Sequence, residues 1–205
     1  MQFFHFVNIF KYVYRTYEYI ISGVLKRIRI INFFLNRKKM LEIFKELPDD
    51  LPDVEELLDL TFGSGRSTLS SYRYRDGVEP VSDLCLLMRD QYDVLVGVVR
   101  FWPVFIGLKH VPSLLLGPLG VHPTRQGEGL GEVLINKALR KAKKFGWQRV
   151  VLVGELSYYQ RFGFSRVFTK DIYMDHDINN QRLLGTELAD GRMRNLSGPI
   201  IKWLG

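Results

Sequence analysis

The stretch Leu119-Gly120-Val121-His122-Pro123-Thr124-Arg125-Gln126-Gly127-Glu128-Gly129-Leu130-Gly131 decides the fold. An apolar run ends here in a turn with three glycines at alternate positions, and behind it Leu130, Val133, Leu134, Ala138 and Ala142 recur at helical spacing. Lys137, Arg140, Lys141 and Lys144 fall elsewhere on that helix and Gly146 closes it, which predicts a helix over 129–145. A strand entering a helix through glycines is suited to phosphate. Glycines let successive N–H groups point into one concavity, and the helix adds the positive end of its dipole. Arg125 adds one cation. The alternative is a turn that serves only to start the helix.

Outward from this unit, Val150-Val151-Leu152-Val153 reads as a buried strand parallel to the one before the helix. Upstream, 84–88, 94–106 and 113–121 are strand-like runs, separated by turn signals at Arg89-Asp90 and at 107–112, so a meander is predicted. Asp49-Asp50-Leu51-Pro52 supplies a cap and an early proline for an amphipathic helix. Its apolar stripe is Leu51, Val54, Leu57, Leu58 and Phe62, with Glu55, Glu56 and Asp59 outside. Phe62-Gly63-Ser64-Gly65 ends it, and 66–75 is predicted as a short helix or an ordered loop near a site. Downstream, Ser157 and Gln160 fit a capping box for a short helix to about Phe162, followed by extended structure over 164–173.

Composition narrows the function. With 205 residues, 46% hydrophobic and 25% charged, the chain suits one domain or two small ones, and disorder and collagen-like repetition are excluded. One cysteine, Cys85, rules out an internal disulfide, a Cys-rich zinc site and an iron–sulfur cluster, and fits a reducing, cytoplasmic setting. Within Leu84-Cys85-Leu86-Leu87 it reads as strand core and not as a nucleophile. No metal site is expected. The net charge of +7 resides in residues 1–39, which hold eight Lys/Arg against Glu18, so 40–205 is neutral and no nucleic-acid partner is expected.

Residues 1–39 read as a separate basic, aromatic extension, with ten Phe or Tyr and six Ile and neither Pro nor Asp. Neither a membrane span nor a secretory signal fits their charge pattern. Ile20, Val24, Ile28, Ile31 and Leu35 recur at helical spacing with Lys26, Arg27 and Arg29 between them, the pattern of an interfacial helix touching anionic lipid. The other reading is a misassigned start, since Phe, Ile, Tyr, Asn and Lys fill 23 of the 39 positions and are the residues of A/T-rich codons. The domain is expected over 40–205.

Two nucleotide loops fail against the glycine turn. A Walker A loop needs Gly-Lys-Ser/Thr, which is absent. A dinucleotide loop needs glycine where Glu132 stands and an acid about 20 residues on, whereas Glu155 comes late and the unit lies deep in the chain. Gln126-x-x-Gly129-x-Gly131 instead resembles the Gln/Arg-x-x-Gly-x-Gly/Ala motif of the GNAT superfamily of acetyl-CoA-dependent N-acetyltransferases. Tyr159-Gln160-Arg161-Phe162-Gly163-Phe164 is similar to the family's Tyr-x-x-x-Gly-Phe segment. The pattern from Leu116-Gly117-Pro118 to Ser197-Gly198 resembles a bacterial branch of it. The fold this implies is α/β (α+β), the GNAT acyl-CoA N-acyltransferase fold: a mixed sheet of six to seven strands flanked by about four helices.

The resemblance also implies a mechanism. Acetyl-CoA is the co-substrate and an amine, of a small molecule or a protein, is the acceptor in a ternary complex. The amine attacks the thioester, an oxyanion forms, and the CoA thiolate leaves. A backbone N–H at Val121 or its neighbour would serve the oxyanion. Tyr159 would protonate the thiolate, being protonated at neutral pH. The backbone of Gln126, Gly127, Glu128, Gly129, Leu130 and Gly131 would hold the pyrophosphate, with Leu119, Gly120 and Val121 pairing with the pantetheine arm. Glu155 and His122 are the candidate bases, with ordered water as the alternative. Arg66, Tyr72, Arg73 and Tyr74 are substrate-binding candidates, and Phe101-Trp102-Pro103-Val104-Phe105 lines either a pocket or the core. Two other readings are a non-catalytic acyl-CoA-binding module and a membrane-surface protein. A homodimer stays open.

Overall fold

A computed structural model describes residues 41–175 and 180–204; the interfacial helix expected within 1–39 lies outside the described residues. Eight strands and three α-helices follow in the order β1 (Leu41–Lys45), α1 (Leu51–Phe62), β2 (Leu86–Asp90), β3 (Leu95–Ile106), β4 (Val111–Val121), α2 (Leu130–Lys144), β5 (Arg149–Val153), α3 (Leu156–Tyr159), β6 (Ile172–Tyr173), β7 (Leu183–Glu187) and β8 (Gly198–Lys202). The expected mixed sheet flanked by helices is present, with eight strands and three α-helices among the described residues. Along the order β1-β2-β3-β4-β5-β7 the pairs are antiparallel except for β4 beside β5, and off this path β8 pairs antiparallel with β3 and parallel with β6. The long β3 pairs with β2 through its first half and with β8 through Val104 to Ile106.

Alternation along the strands assigns the faces. Leu86, Met88, Val99, Phe101, Leu114, Leu116, Val150 and Leu152 pack beneath Leu130, Leu134, Ile135, Ala138 and Ala142 of α2. On the other face, Leu87 and Val98 meet Val54, Leu57 and Leu58 of α1, while Val104, Leu115 and Val151 pack with Ile172, Leu183 and Ile200. The helix α2 lies so close that a Cβ on Gly97 would stand 2.9 Å from Leu134 Cδ1. On the α1 side, a Cβ on Gly120 would stand 3.2 Å from Leu58 Cδ2.

Several local expectations change. In α1 only Val54, Leu57 and Leu58 are buried, while Leu51 and Phe62 are exposed at the ends of the stripe. Val133 of α2 is likewise exposed, and Ile135 is buried in its place. Asp50 does not cap α1. A 3-10 turn at Pro48–Asp50 puts its backbone in the helical region, and its carboxylate accepts from Leu47 N–H at 2.9 Å and Arg89 Nη2 at 3.0 Å. Glu55 and Asp59, expected to face water, bind Arg66, and Glu55 also binds Arg100. The capping box at Ser157 does not form, because the helix begins two residues earlier than that cap requires, at Leu156 behind Glu155. Extended structure over 164–173 gives way to a 3-10 turn at Arg166–Thr169, which Ser165 caps by accepting from Val167 N–H at 3.1 Å. Residues 66–75 form two 3-10 turns, Ser64–Thr68 and Ser70–Tyr74.

Candidate active site

The cleft originates in a bulge. Val99 pairs with Leu119 but Phe101 pairs with Leu116, so Gly117 and Pro118 together oppose Arg100. Parallel pairing of β4 with β5 is confined to Leu114↔Val150 and Leu115↔Val151, so from the bulge onward the two strands part. A cavity of about 330 Å³ lies in the gap, bordered by Pro118, Leu119, Gly154, Glu155, Tyr158 and Tyr159.

At the far end of β4 stands the glycine turn. Gly127 and Gly129 have φ of +86° and +80°, a region L side chains rarely adopt, and their missing Cβ atoms would meet nothing within 4 Å. The first helical bond of α2 runs from Val133 N–H to Gly129 O at 3.1 Å, which leaves the N–H groups of the first turn outside the ladder. Gln126 Nε2 donates to Val121 O at 3.3 Å and ties the turn to β4. Arg125 is engaged by Glu128 at 2.7 Å and Asp90 at 3.7 Å. Leu130 is buried under the sheet, Val121 packs against the same cluster, and Gly120 is covered by α1. Gly131 has a distinct role: a Cβ there would stand 2.6 Å from Tyr158 Oη, so Tyr158 rests on the start of α2.

Tyr159 sits where β5 ends. A Cβ on Gly154 would fall 2.3 Å from Tyr159 Cε2, so the ring lies flush against that backbone. Tyr158, at 4.9 Å between ring centroids, and Phe164, at 5.9 Å, pack edge-on to it. Burial, with Tyr158 adding to it, pushes the Tyr159 phenol up to about 12, and its hydroxyl bonds to none of the described residues. Burial also raises the Tyr158 phenol. Glu155 borders the same cavity, with its carboxylate 3.0 Å from Arg182 Nε and its carbonyl accepting from Tyr158 and Tyr159 N–H. His122 points elsewhere: its Nδ1 meets Thr124 Oγ1 at 2.8 Å and Thr124 N–H at 3.3 Å, capping the turn after β4.

A second cavity of about 480 Å³ adjoins the bulge and is bordered by Arg66, Tyr72, Arg73, Arg75, Arg100 and Trp102. Three of the four substrate candidates are therefore together, while Tyr74 is buried on the far side and accepts from Asp175 N–H at 3.1 Å. Arg100 holds Glu46 and Glu55, and Arg66 holds Glu55 and Asp59. In the aromatic run, Phe101 is core, Trp102 borders the cavity and Phe105 stacks on Trp203 at 4.2 Å. Cys85 is buried just before β2, and burial pushes its thiol up to about 11. Gly154, Arg75 and Arg182 escaped the sequence reading; Gly154, immediately after an apolar strand and five residues before the tyrosine, carried the one usable signal.

A model of the acetyltransferase (GNAT) family matches residues 51–164. The chain belongs to this family. This GNAT chain is 28% identical over 162 residues to the uncharacterized N-acetyltransferase YhbS of Escherichia coli strain K12, spanning 76% of this chain and 92% of the relative. The crystal structure of E. coli YhbS in complex with CoA superposes with a TM-score of 0.69 at 26% identity, over 78% of this chain and 88% of that one. A GNAT family acetyltransferase from Brucella melitensis, in complex with acetyl-CoA, shares the fold with a TM-score of 0.60 at 24% identity, over 80% and 96% of the two chains. The GNAT fold and the acyltransferase class implied by the two motifs are borne out. Among the described residues no helix is long and apolar enough to cross a membrane.

Proposed function

We propose that this chain transfers the acetyl group of acetyl-CoA directly to a primary amine within a ternary complex. The observation that carries the reading is the parting of β4 from β5 with Tyr159 at its edge and an open glycine turn at the end of β4. Bound there, acetyl-CoA supplies a thioester carbonyl for the amine to attack and a sulfur to leave as thiolate. Gln126 to Gly131 present backbone N–H groups to its pyrophosphate, a fit supported by the open left-handed glycines and the unladdered first turn of α2. Leu119 to Val121, beyond the last β5 pairing, offer a strand edge to the pantetheine arm. Arg125 borders this turn with its charge already shared by Glu128.

Tyr159 donates the proton to the leaving sulfur. A phenol held up to about 12 stays protonated across the working range, and its hydroxyl has no competing partner among the described residues. A backbone N–H of β4 at Val121 or its neighbour donates to the oxyanion. Glu155 receives the ammonium proton from the cavity rim, with Arg182 orienting its carboxylate. The nitrogen loses two protons: the first goes to Glu155 and on to solvent, and the second, shed as the tetrahedral adduct collapses, restores the Tyr159 phenol after Tyr159 has protonated the thiolate, so the net release is one proton per turnover.

Titration calorimetry of the full chain with acetyl-CoA and with NAD, alongside Gly129→Glu, tests the reading. Acetyl-CoA binding that is lost in Gly129→Glu supports it, and no acetyl-CoA binding overturns it. Binding without release of CoA to any of a panel of amines would establish the non-catalytic module instead.

A further inference from the structure

Of the four arginines that border the second cavity near the bulge, Arg66, Arg75 and Arg100 are the least exposed, and they are not equivalent. Arg66 and Arg100 are satisfied by Glu55, Asp59 and Glu46. Arg75, only 8% exposed, has none of these: its Nε and Nη1 are buried with no hydrogen-bond partner. Its Nη2 reaches Ser71 Oγ at the long distance of 3.5 Å, and its guanidinium lies 4.5 Å from the ring centroid of Tyr72, which partly offsets the burial. A buried guanidinium lacking acceptors is strongly unfavourable relative to a paired one. Burial pulls it down to about 10, so the charge persists at neutral pH. The other orphaned donor among the described residues is Trp102 Nε1, from the wall of the same cavity. Every unsatisfied group is a donor, so the complement is a group rich in acceptors.

Position narrows the choice. Arg75 borders both cavities, the one with Tyr159 and Glu155 and the one with Trp102. Its Nη2 would lie 3.0 Å from a Cβ on Gly117, which places it against the bulge where β4 leaves β5. Neither cavity is bordered by the glycine turn, so the anion that suits Arg75 is separate from the pyrophosphate assigned to that turn. Of the arginines bordering the second cavity, Arg66 and Arg100 are neutralised by Glu55, Asp59 and Glu46, which leaves Arg75 as the buried cation without a carboxylate. A guanidinium offers its donors in a planar fork that suits the two oxygens of a carboxylate.

We infer that the acceptor carries a carboxylate as well as its reacting amine, and that Arg75 holds this carboxylate at the junction of the two cavities. The inference rests on the acetyltransferase reading above, because it places the amine beside Tyr159 and Glu155. The substrate class is therefore an amino acid or a related amino carboxylate.

The test measures CoA release by the full chain with matched acceptors that differ only in the carboxylate: 4-aminobutyrate with n-propylamine, L-2,4-diaminobutyrate with 1,3-diaminopropane, and L-lysine with cadaverine. The expected result is kcat/KM at least tenfold higher for the acid in one or more pairs, with that ratio falling toward one in Arg75→Met. Arg75→Lys keeps the charge but loses the fork, and should retain part of the ratio. A merely structural role would lower both members of a pair alike and leave the ratio standing. Equal or better turnover of the decarboxylated amines by wild type overturns the inference, as does a ratio unchanged in Arg75→Met. Acetyl-CoA binding without transfer to any of the acids also overturns it. Acetyl-CoA affinity, measured on each variant, reports folding; if Arg75→Met does not fold, a ratio undiminished in Arg75→Lys overturns the inference. No acetyl-CoA binding by wild type marks failure of the broader reading.

Discussion

The two sides of the β4–β5 gap are built by different means. The glycine-turn side is made of backbone: Gly127 and Gly129 in left-handed conformations, the unladdered start of α2, and Gly131 and Gly154 giving way to two tyrosine rings. The opposite side is made of long side chains whose charges cancel over distance, as Arg100 does with Glu46 and Glu55. A backbone-built site depends on the absence of Cβ atoms, whereas a side-chain-built site depends on partners far apart in the chain. Substitutions should therefore act locally on chemistry on the first side and on stability on the second.

The sharpest break of this contrast is Tyr159→Phe. We expect kcat to fall about 100-fold or more, the usual contribution of a positioned acid, with acetyl-CoA affinity unchanged; stopped-flow detection of released CoA checks it, and a loss below threefold would remove Tyr159 from the role. On the arginine side, Arg100→Leu strands the carboxylate of Glu46, 13% exposed, and leaves Glu55, 41% exposed, to Arg66 alone. Because one partner is well solvated, the cost is about 2–3 kcal/mol, below the range for fully buried pairs. Urea unfolding reads this, while acetyl-CoA binding by the folded fraction should hold.

Gly154→Ala would drive a methyl into the Tyr159 ring, 2.3 Å away, and tip the hydroxyl out of place. Its expected effect is about tenfold on kcat, by comparison with the cost of a small misplacement in a reacting group, measured with a saturating amine. Gly127→Ala meets no atom but must hold a φ of +86°, which costs about 1 kcal/mol and weakens acetyl-CoA about fivefold by calorimetry. The smallest effect concerns pH. Tyr159 has an ordinary value near 10 when unfolded and is held up to about 12 when folded. The stability linked to it is complete below pH 10 and drains away as pH rises from there through 12. Tyr159→Phe, lacking that group, should show a later alkaline unfolding midpoint by circular dichroism.

The same contrast explains what could be read in the sequence. The glycine turn, α2 and β5 were legible because a 3.6-residue period, an apolar run and alternate glycines are local signals. Strands β7 and β8 were not: Leu183-Leu184-Gly185-Thr186-Glu187 carries no alternation, and it is a strand because β5 offers it an edge. Asp50 looked like a cap and turned out to be an ion-pair partner of Arg89, 39 positions away. Arg75 could not be singled out among its neighbouring arginines, since its distinction is the partner it lacks.

The dual pairing of β3 bears on how the chain is made. Ile106 lies beside Ile200, so the second half of β3 emerges from the ribosome almost a hundred residues before the strand that covers its edge. At common elongation rates that interval lasts on the order of 5–20 s. Over that interval Val104 to Ile106 present an open ladder on an apolar strand, the arrangement that invites pairing between chains. Biosynthesis of this protein thus has a vulnerable window that closes only when 198–202 has been translated, and slow translation or a missing β8 would expose it to aggregation before any loss of activity could be measured.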